Sequence, residues 1–385
     1  MTVSMVVLLT GAGVVSTAQA RPLVPTEAGA QSWPASWSAN HPAVGNGSLR
    51  ATASAGGATI AAGWTEWSPD GRETVEAPLA VHMENGSWKK RDLPVPPGST
   101  GRVEDLTMLD AADAWAVGST GAPYLAHWDG DRWTQVPAPA EHRFGGYLGV
   151  SASGPDNVWV VGVGPVTEDG PFGVLLARYD GTAWRTVPLP ADAAGPEGWD
   201  RTWMSGISVL GPDDVWITGI ANRTVHWDGH GWTRVPVPLA GDEEMWFDRV
   251  RSNPVYGTWA VGYAFRPGSL RTPVALRWNG RAWQRAALPK DNGAQLLDIT
   301  FTARGPLGVG YWMNTEARTH TGYGLLLPVL PGVKARHLAL PAESFLFSSA
   351  TTGPGGFGLW VVGIRATESM LLEPFAATVP LPPTS

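Results

Sequence analysis

The chain predicts an all-β fold, a ring of seven units each made of four short antiparallel strands, which is a seven-bladed β-propeller. Three observations carry this. First, glycine, proline and tryptophan are abundant, at 48, 34 and 21 of 385 residues. Gly and Pro punctuate turns, so short segments are expected rather than long helices. Second, few windows place apolar residues at i, i+3 and i+4, as an amphipathic helix requires. Third, one block of sequence recurs along the chain at a propeller spacing.

The elements of the unit follow in order. A short strand runs into a turn such as "GPDN" at Gly154 or "GPDD" at Gly211. A second strand ends in a W-x-V-G motif: "DAWAVG" to Gly118, "NVWVVG" to Gly162, "DVWITG" to Gly219, "GTWAVG" to Gly262 and "LWVVG" to Gly363. Weaker copies are "TIAAG" at Gly63 and "PLGVG" at Gly310. A variable loop leads to a third strand, an Asp-Gly turn and a W-x-x-V-P strand, as in "LAHWDGDRWTQVPAP" from Leu125. Each strand is β-branched or aromatic and closed by Gly, Pro, Asp or Asn. The seven glycines lie 43 to 57 residues apart, the period of a four-stranded blade. Seven blades are therefore expected, with six or eight as the alternatives.

Two blades depart from the pattern. The sixth, "GLLLPVLPGVKARHLALP", has no Asp-Gly-x-x-Trp. The seventh runs out of sequence before its outer strand. The segment 32–37, "SWPASW", is expected to supply that strand and close the ring, which would remove a free sheet edge. Residues 1–20 read as a signal peptide, with an apolar run from Val6 to Val15 and Ala18-Gln19-Ala20 before a cleavage after Ala20. Residues 21–31 are then a flexible N-terminal segment and 32–385 the propeller. The expectation is a secreted monomer. No disulfide can brace it, because the chain has no cysteine.

The repeated unit resembles kelch-type and galactose-oxidase-central-domain propellers. It is similar in particular to the "VWAVG…HWDGxxWxxVPxP" repeats of secreted actinobacterial proteins. The resemblance covers roughly Leu49 to the C-terminus and implies the fold. On function it is nearly silent, since propellers host binding and catalysis alike.

Residues that recur once per blade are expected to be architecture. Thirteen tryptophans sit at repeat slots, among them Trp115, Trp159, Trp216, Trp133 and Trp283. Their rings suit the wedge-shaped gap between neighbouring blades. The pairs Asp129-Gly130, Asp180-Gly181, Asp228-Gly229 and Asn279-Gly280 read as hairpins in which both residues tolerate positive φ. The slot holding His82, His127, Arg178, His226 and Arg277 alternates His with Arg. That alternation argues against a metal and for a cation that bonds a loop carbonyl or stacks on Trp.

Function is expected on the other face. The first and third turns of each unit are nearly constant, whereas the second and fourth connections vary. Both variable sets fall on one face of a propeller, and binding residues sit on loops held by a rigid scaffold. Trp203 and Trp246 each lie thirteen residues before their W-x-V-G tryptophan, and Tyr147 and Phe347 lie at or beside the equivalent point. With Arg201, Asp248 and Arg249 they form the candidate ligand-binding set. Aromatic faces with a few charges around a funnel suit a carbohydrate or a peptide.

Other classes are disfavoured. A net charge of −7 argues against nucleic acid. No stretch beyond the N-terminus is apolar enough to span a membrane. Without cysteine there can be no Tyr–Cys copper radical. No hydrolase, metalloprotease or phosphate-loop motif occurs. No catalytic residue, cofactor or metal is assigned. The alternative is a carbohydrate-active hydrolase or lyase with acids from different blades.

Overall fold

The computed structural model describes residues 38–68, 74–96, 99–165, 170–194, 203–289, 292–313, 322–329, 345–353, 358–366 and 372–380. They form seven antiparallel sheets, six of four strands and one of three. In six sheets strands pair in chain order, the meander of a propeller blade. The inner strands are Gly47–Ala55, Arg102–Asp110, Gly146–Gly154, Met204–Gly211, Glu244–Asn253, Ala294–Thr302 and Phe345–Thr352. We number the blades 1 to 7 in that order.

Blade 6 is the three-stranded one. Its expected outer segment lies outside the described residues. Blade 7 takes its outer strand from the other end of the chain: Ser38 and Ala39 pair with Thr378 and Ala377 of Leu372–Pro380. The segment 32–37 expected to do this lies outside the described residues, as do residues 1–31.

The core is a set of wedges between blades. One holds Trp115, Val117 and Leu125 of blade 2 against Tyr147, Val158 and Trp184 of blade 3. An equivalent one holds Trp216 of blade 4 against Phe247, Val250 and Trp283 of blade 5. Trp115, Trp159, Trp216 and Trp259 are all buried. Burying each ring supplies a few kcal/mol of hydrophobic stabilisation.

The Asp-Gly turns work differently from the expectation. Only the glycine has positive φ: 96° at Gly130, 89° at Gly181 and Gly229, and 91° at Gly280. The preceding Asp or Asn instead accepts two backbone N–H groups, as Asp129 Oδ1 does from Asp131 and Arg132, both at 2.9 Å. The His/Arg slot stacks on tryptophan as expected. His226 lies over Trp216 with centroids 4.2 Å apart, and Arg178 over Trp159 at 5.6 Å. Two of its histidines bond a carboxylate rather than a carbonyl: His127 to Asp113 and His226 to Asp214, both 2.9 Å.

Candidate functional site

Every inner strand breaks register at one shared point, and those of blades 2, 3 and 4 break it again beside the turn into the second strand. The residues skipped at the shared point are Arg50, Glu104, Leu148, Ser205, Asp248, Leu297 and Ser348. A bulge adds one residue to a strand and re-aims its side chain. It also explains the repeated glycine. The residue before each bulge pairs with Gly63, Gly118, Gly162, Gly219, Gly262, Gly310 or Gly363. A Cβ at any of these would lie 1.9 to 2.1 Å from an inner-strand carbonyl oxygen. The glycine is therefore required by close backbone approach, not by a turn.

Just past the bulges the axis is closed. Arg249 Nη1 of blade 5 lies 2.7 Å from Asp105 Oδ2 of blade 2. These blades are not neighbours, so the side chain crosses the centre of the ring. Gly149 and Gly206 hold the same post-bulge place in the two blades between them. Arg251 grips Asp298 of blade 6 with Nε at 2.7 Å and Nη2 at 3.0 Å, and Ser349 Oγ donates to Asp298 Oδ2 at 2.6 Å. Burial works against the Asp298 carboxylate. The charge and hydrogen bonds of Arg251, with Arg249 and Ser349, outweigh it and hold its pKa below the usual value.

This layer also satisfies the inner strands' free edges. Asp105 Oδ2 accepts Val150 N at 2.9 Å, Ser151 Oγ accepts Val209 N at 3.0 Å, and Ser208 Oγ accepts Ser252 N at 2.7 Å. Each side chain caps the next blade's unpaired backbone donor.

Above this floor, toward the variable loops, the mouth carries two charged groups of residues. On blades 1 and 2, Glu76, Arg102, Glu104 and Arg50 alternate in sign, at 2.7, 3.8 and 3.4 Å in turn. Arg102 also lies over the Trp64 ring at 4.8 Å. On blades 5 and 6, Gln295 donates to Asp248 Oδ2 at 2.8 Å and accepts from Arg271 and Tyr311, both at 3.0 Å. Arg271 lies over Tyr263 at 4.3 Å. Burial pushes the Asp248 carboxyl up to about 6, against the Gln295 hydrogen bond and the charges of Arg50, Arg249 and Arg271. Because Arg50 belongs to blade 1, the two groups act on each other across the mouth.

The candidate residues separate on inspection. Trp246, Asp248 and Arg249 come together on blade 5; Trp246 is half-buried, bonded to Glu244 and packed on Tyr263. Arg249 is buried in the floor rather than presented. Trp203 is half-buried just before the blade 4 strand, at the position matching Trp246. Tyr147 and Phe347 are corrected. Each is paired with its blade's glycine, one residue past the Trp246 position, so the pleat turns it to the opposite side. Both are buried. Tyr147 bonds His142 at 2.7 Å, and Phe347 stacks on Phe375 with centroids 5.6 Å apart. Arg201 lies outside the described residues. The reading from sequence missed Arg50, Arg271, Gln295, Asp298 and Tyr311.

The same face carries exposed apolar side chains. Trp67, Phe172, Leu239, Leu270 and Leu372 sit at the loop ends of blades 1, 3, 5 and 7 and in the connection between blades 4 and 5. Of the large exposed hydrophobics among the described residues, only Leu210 and Val255 lie at the opposite turns.

No family model matches the chain, and no curated protein matches it in sequence. Solved structures do resemble it. "YCF48 bound to D1 peptide" is 14% identical with a TM-score of 0.57, covering 91% of this chain and 98% of that one. YCF48 from Cyanidioschyzon merolae is 16% identical with a TM-score of 0.54, covering 89% and 98%. At such identities the likeness concerns the fold. The chain is a seven-bladed β-propeller with antiparallel four-stranded blades.

Proposed function

We propose that the protein is an exported binding module that takes a peptide segment on its variable-loop face, over the axial mouth. One observation carries this reading: a charged, closed-floored mouth shares its face with five of the seven exposed large hydrophobics among the described residues. Exposed apolar side chains concentrated on one face mark a contact surface. Three of the five are leucines, which suit a polypeptide better than a sugar, whose recognition favours flat aromatic platforms. A structural neighbour, YCF48, is bound to a peptide, which is compatible with this use of the fold. Export rests on the apolar run and the Ala-x-Ala site before Arg21.

The carbohydrate-active alternative asks for two acids facing one bond. Asp105 and Asp298 are engaged by Arg249 and Arg251, and the carboxyls whose pKa burial raises, Asp248 and Glu66, stand on different blades. A peptide array probed with protein recovered from the medium, starting at Arg21, tests the reading. Selective binding is expected, weakened tenfold or more (about 1.4 kcal/mol) by Trp246→Ala or Arg50→Ala. Binding that survives both variants would remove the mouth as the site.

A further inference from the structure

The corner of the mouth around Asp248 has more guanidinium donors than acceptors. Arg271 hydrogen-bonds the neutral Gln295 amide oxygen and the Tyr311 hydroxyl and stacks on Tyr263; among the described residues no carboxylate forms an ion pair with it. Arg50 approaches Glu104 with Nε at 3.4 Å, and its side chain is 36% exposed. Asp248 accepts from Gln295 through Oδ2 alone. The Gln295 amide is fully oriented, with two donors on its oxygen and its nitrogen on Asp248. A cation entering here would meet Arg50, Arg249 and Arg271. An anion would meet two guanidinium groups with N–H donors to spare, and one carboxylate that can be neutralised.

We propose that this corner receives a carboxylate of the bound peptide, an acidic side chain or a free C-terminus, held by Arg271 and Arg50 while Asp248 takes up one proton from solvent. This rests on the peptide reading and names the group recognised. Two carboxyl groups side by side cannot both stay ionised, so one holds a proton and donates it as a hydrogen bond to the other. Asp248 is prepared for this role, because burial already raises its pKa to about 6. The other groups facing it are Arg249 beside it, Tyr263 and Tyr311 from the neighbouring strands, and Glu244 at the start of its own strand. Burial raises the pKa of both tyrosines, so they stay neutral in the range concerned.

The experiment uses acetate as the probe and reads the Asp248 carboxyl carbon by NMR. Saturating acetate should raise the Asp248 pKa by about one unit or more. Acetate affinity should weaken about tenfold per pH unit as pH rises above about 6, the signature of one proton taken up. Asp248→Asn should bind acetate at high pH as tightly as the native protein does at low pH, with the slope gone. Arg271→Met should lose acetate while keeping its melting temperature. An Asp248 pKa that acetate leaves unmoved or lowers would overturn the proposal, as would pH-independent binding. So would an equal response to inorganic phosphate, which would make the corner a general oxyanion site. The peptide array, printed with each peptide as free acid and as amide, separates the two readings. Equal binding of acids and amides, with no acetate response, removes the carboxylate and leaves the peptide. An acetate response with an empty array removes the peptide and leaves the carboxylate pocket.

Discussion

At the scale of single residues, the repeated slots divide into those that only pack and those whose packing has a chemical consequence. His82 is of the second kind. It is buried between Trp128 and Trp133, with ring centroids 4.4 and 5.9 Å away, and its Nε2 accepts the Trp133 indole N–H at 3.0 Å. Burial, assisted by the nearby Arg91 charge, lowers its pKa from 6.5 to about 4. Between those values the unfolded chain binds a proton that the folded chain refuses. The stabilisation is therefore complete above pH 6.5 and lost as pH falls to about 4, at a cost of up to about 3 kcal/mol. His82→Gln keeps an acceptor for Trp133 and removes the titration. Denaturant unfolding at a series of pH values should show a shallower acid loss in that variant. An identical acid slope in both proteins would mean that some other group sets it.

At the scale of the element, the bulged inner strand and its glycine form one device. Gly262→Ala would put a Cβ 1.9 Å from Trp246 O and 2.8 Å from Phe247 Cα. Both are backbone atoms and cannot swing aside. The cost should be about 3 kcal/mol or more, the range reserved for enforced core rearrangement, and the Asp248 bulge should shift with it. Gly268→Ala is the control, since its φ is 76° but nothing lies within 4 Å of the added carbon; about 1 kcal/mol of left-handed strain is expected. Equal losses in the two variants, measured by thermal melting, would show that close approach is not what the glycine serves. The device also marks how far the sequence could be read. Turns and the W-x-V-G strand were legible because each demands particular residue types. The bulge is a property of backbone register and demands nothing of the residue that occupies it, which ranges from Arg50 and Asp248 to Leu148. Counting from tryptophan put Phe347 level with Trp246, but the blade 7 hairpin is one residue longer than that of blade 5. That single residue moves the ring from the mouth to the core.

At the scale of the molecule, the axial floor depends on a closed ring. Asp105, Arg249 and Asp298 come from blades 2, 5 and 6, and they meet only because seven wedges close around one axis. Asp298 was illegible from the sequence because it lies in blade 6, where the repeat is weakest. Closure itself rests on few residues. Ser38 and Ala39 cover the edge of Leu372–Pro380. Asn40 N then bonds Ala376 O at 3.0 Å, and Asn40 Nδ2 reaches Gly86 O in the outer hairpin of blade 1 at 2.9 Å. His41 packs on Phe375 with centroids 5.0 Å apart and accepts Ala376 N at 3.3 Å. These contacts link the first blade to the last, so that ring opening costs them together. Deleting residues through His41 should bare the backbone donors and acceptors of "LEPFAATVP", an apolar strand edge open to a second copy. The deleted chain should melt several degrees lower, because about 1 kcal/mol moves the midpoint by a few degrees in a chain of this size. It should also associate with rising concentration in sedimentation velocity, whereas the intact chain should stay monomeric. A deleted chain that remains monomeric at an unchanged melting temperature would place closure in the blade interfaces alone.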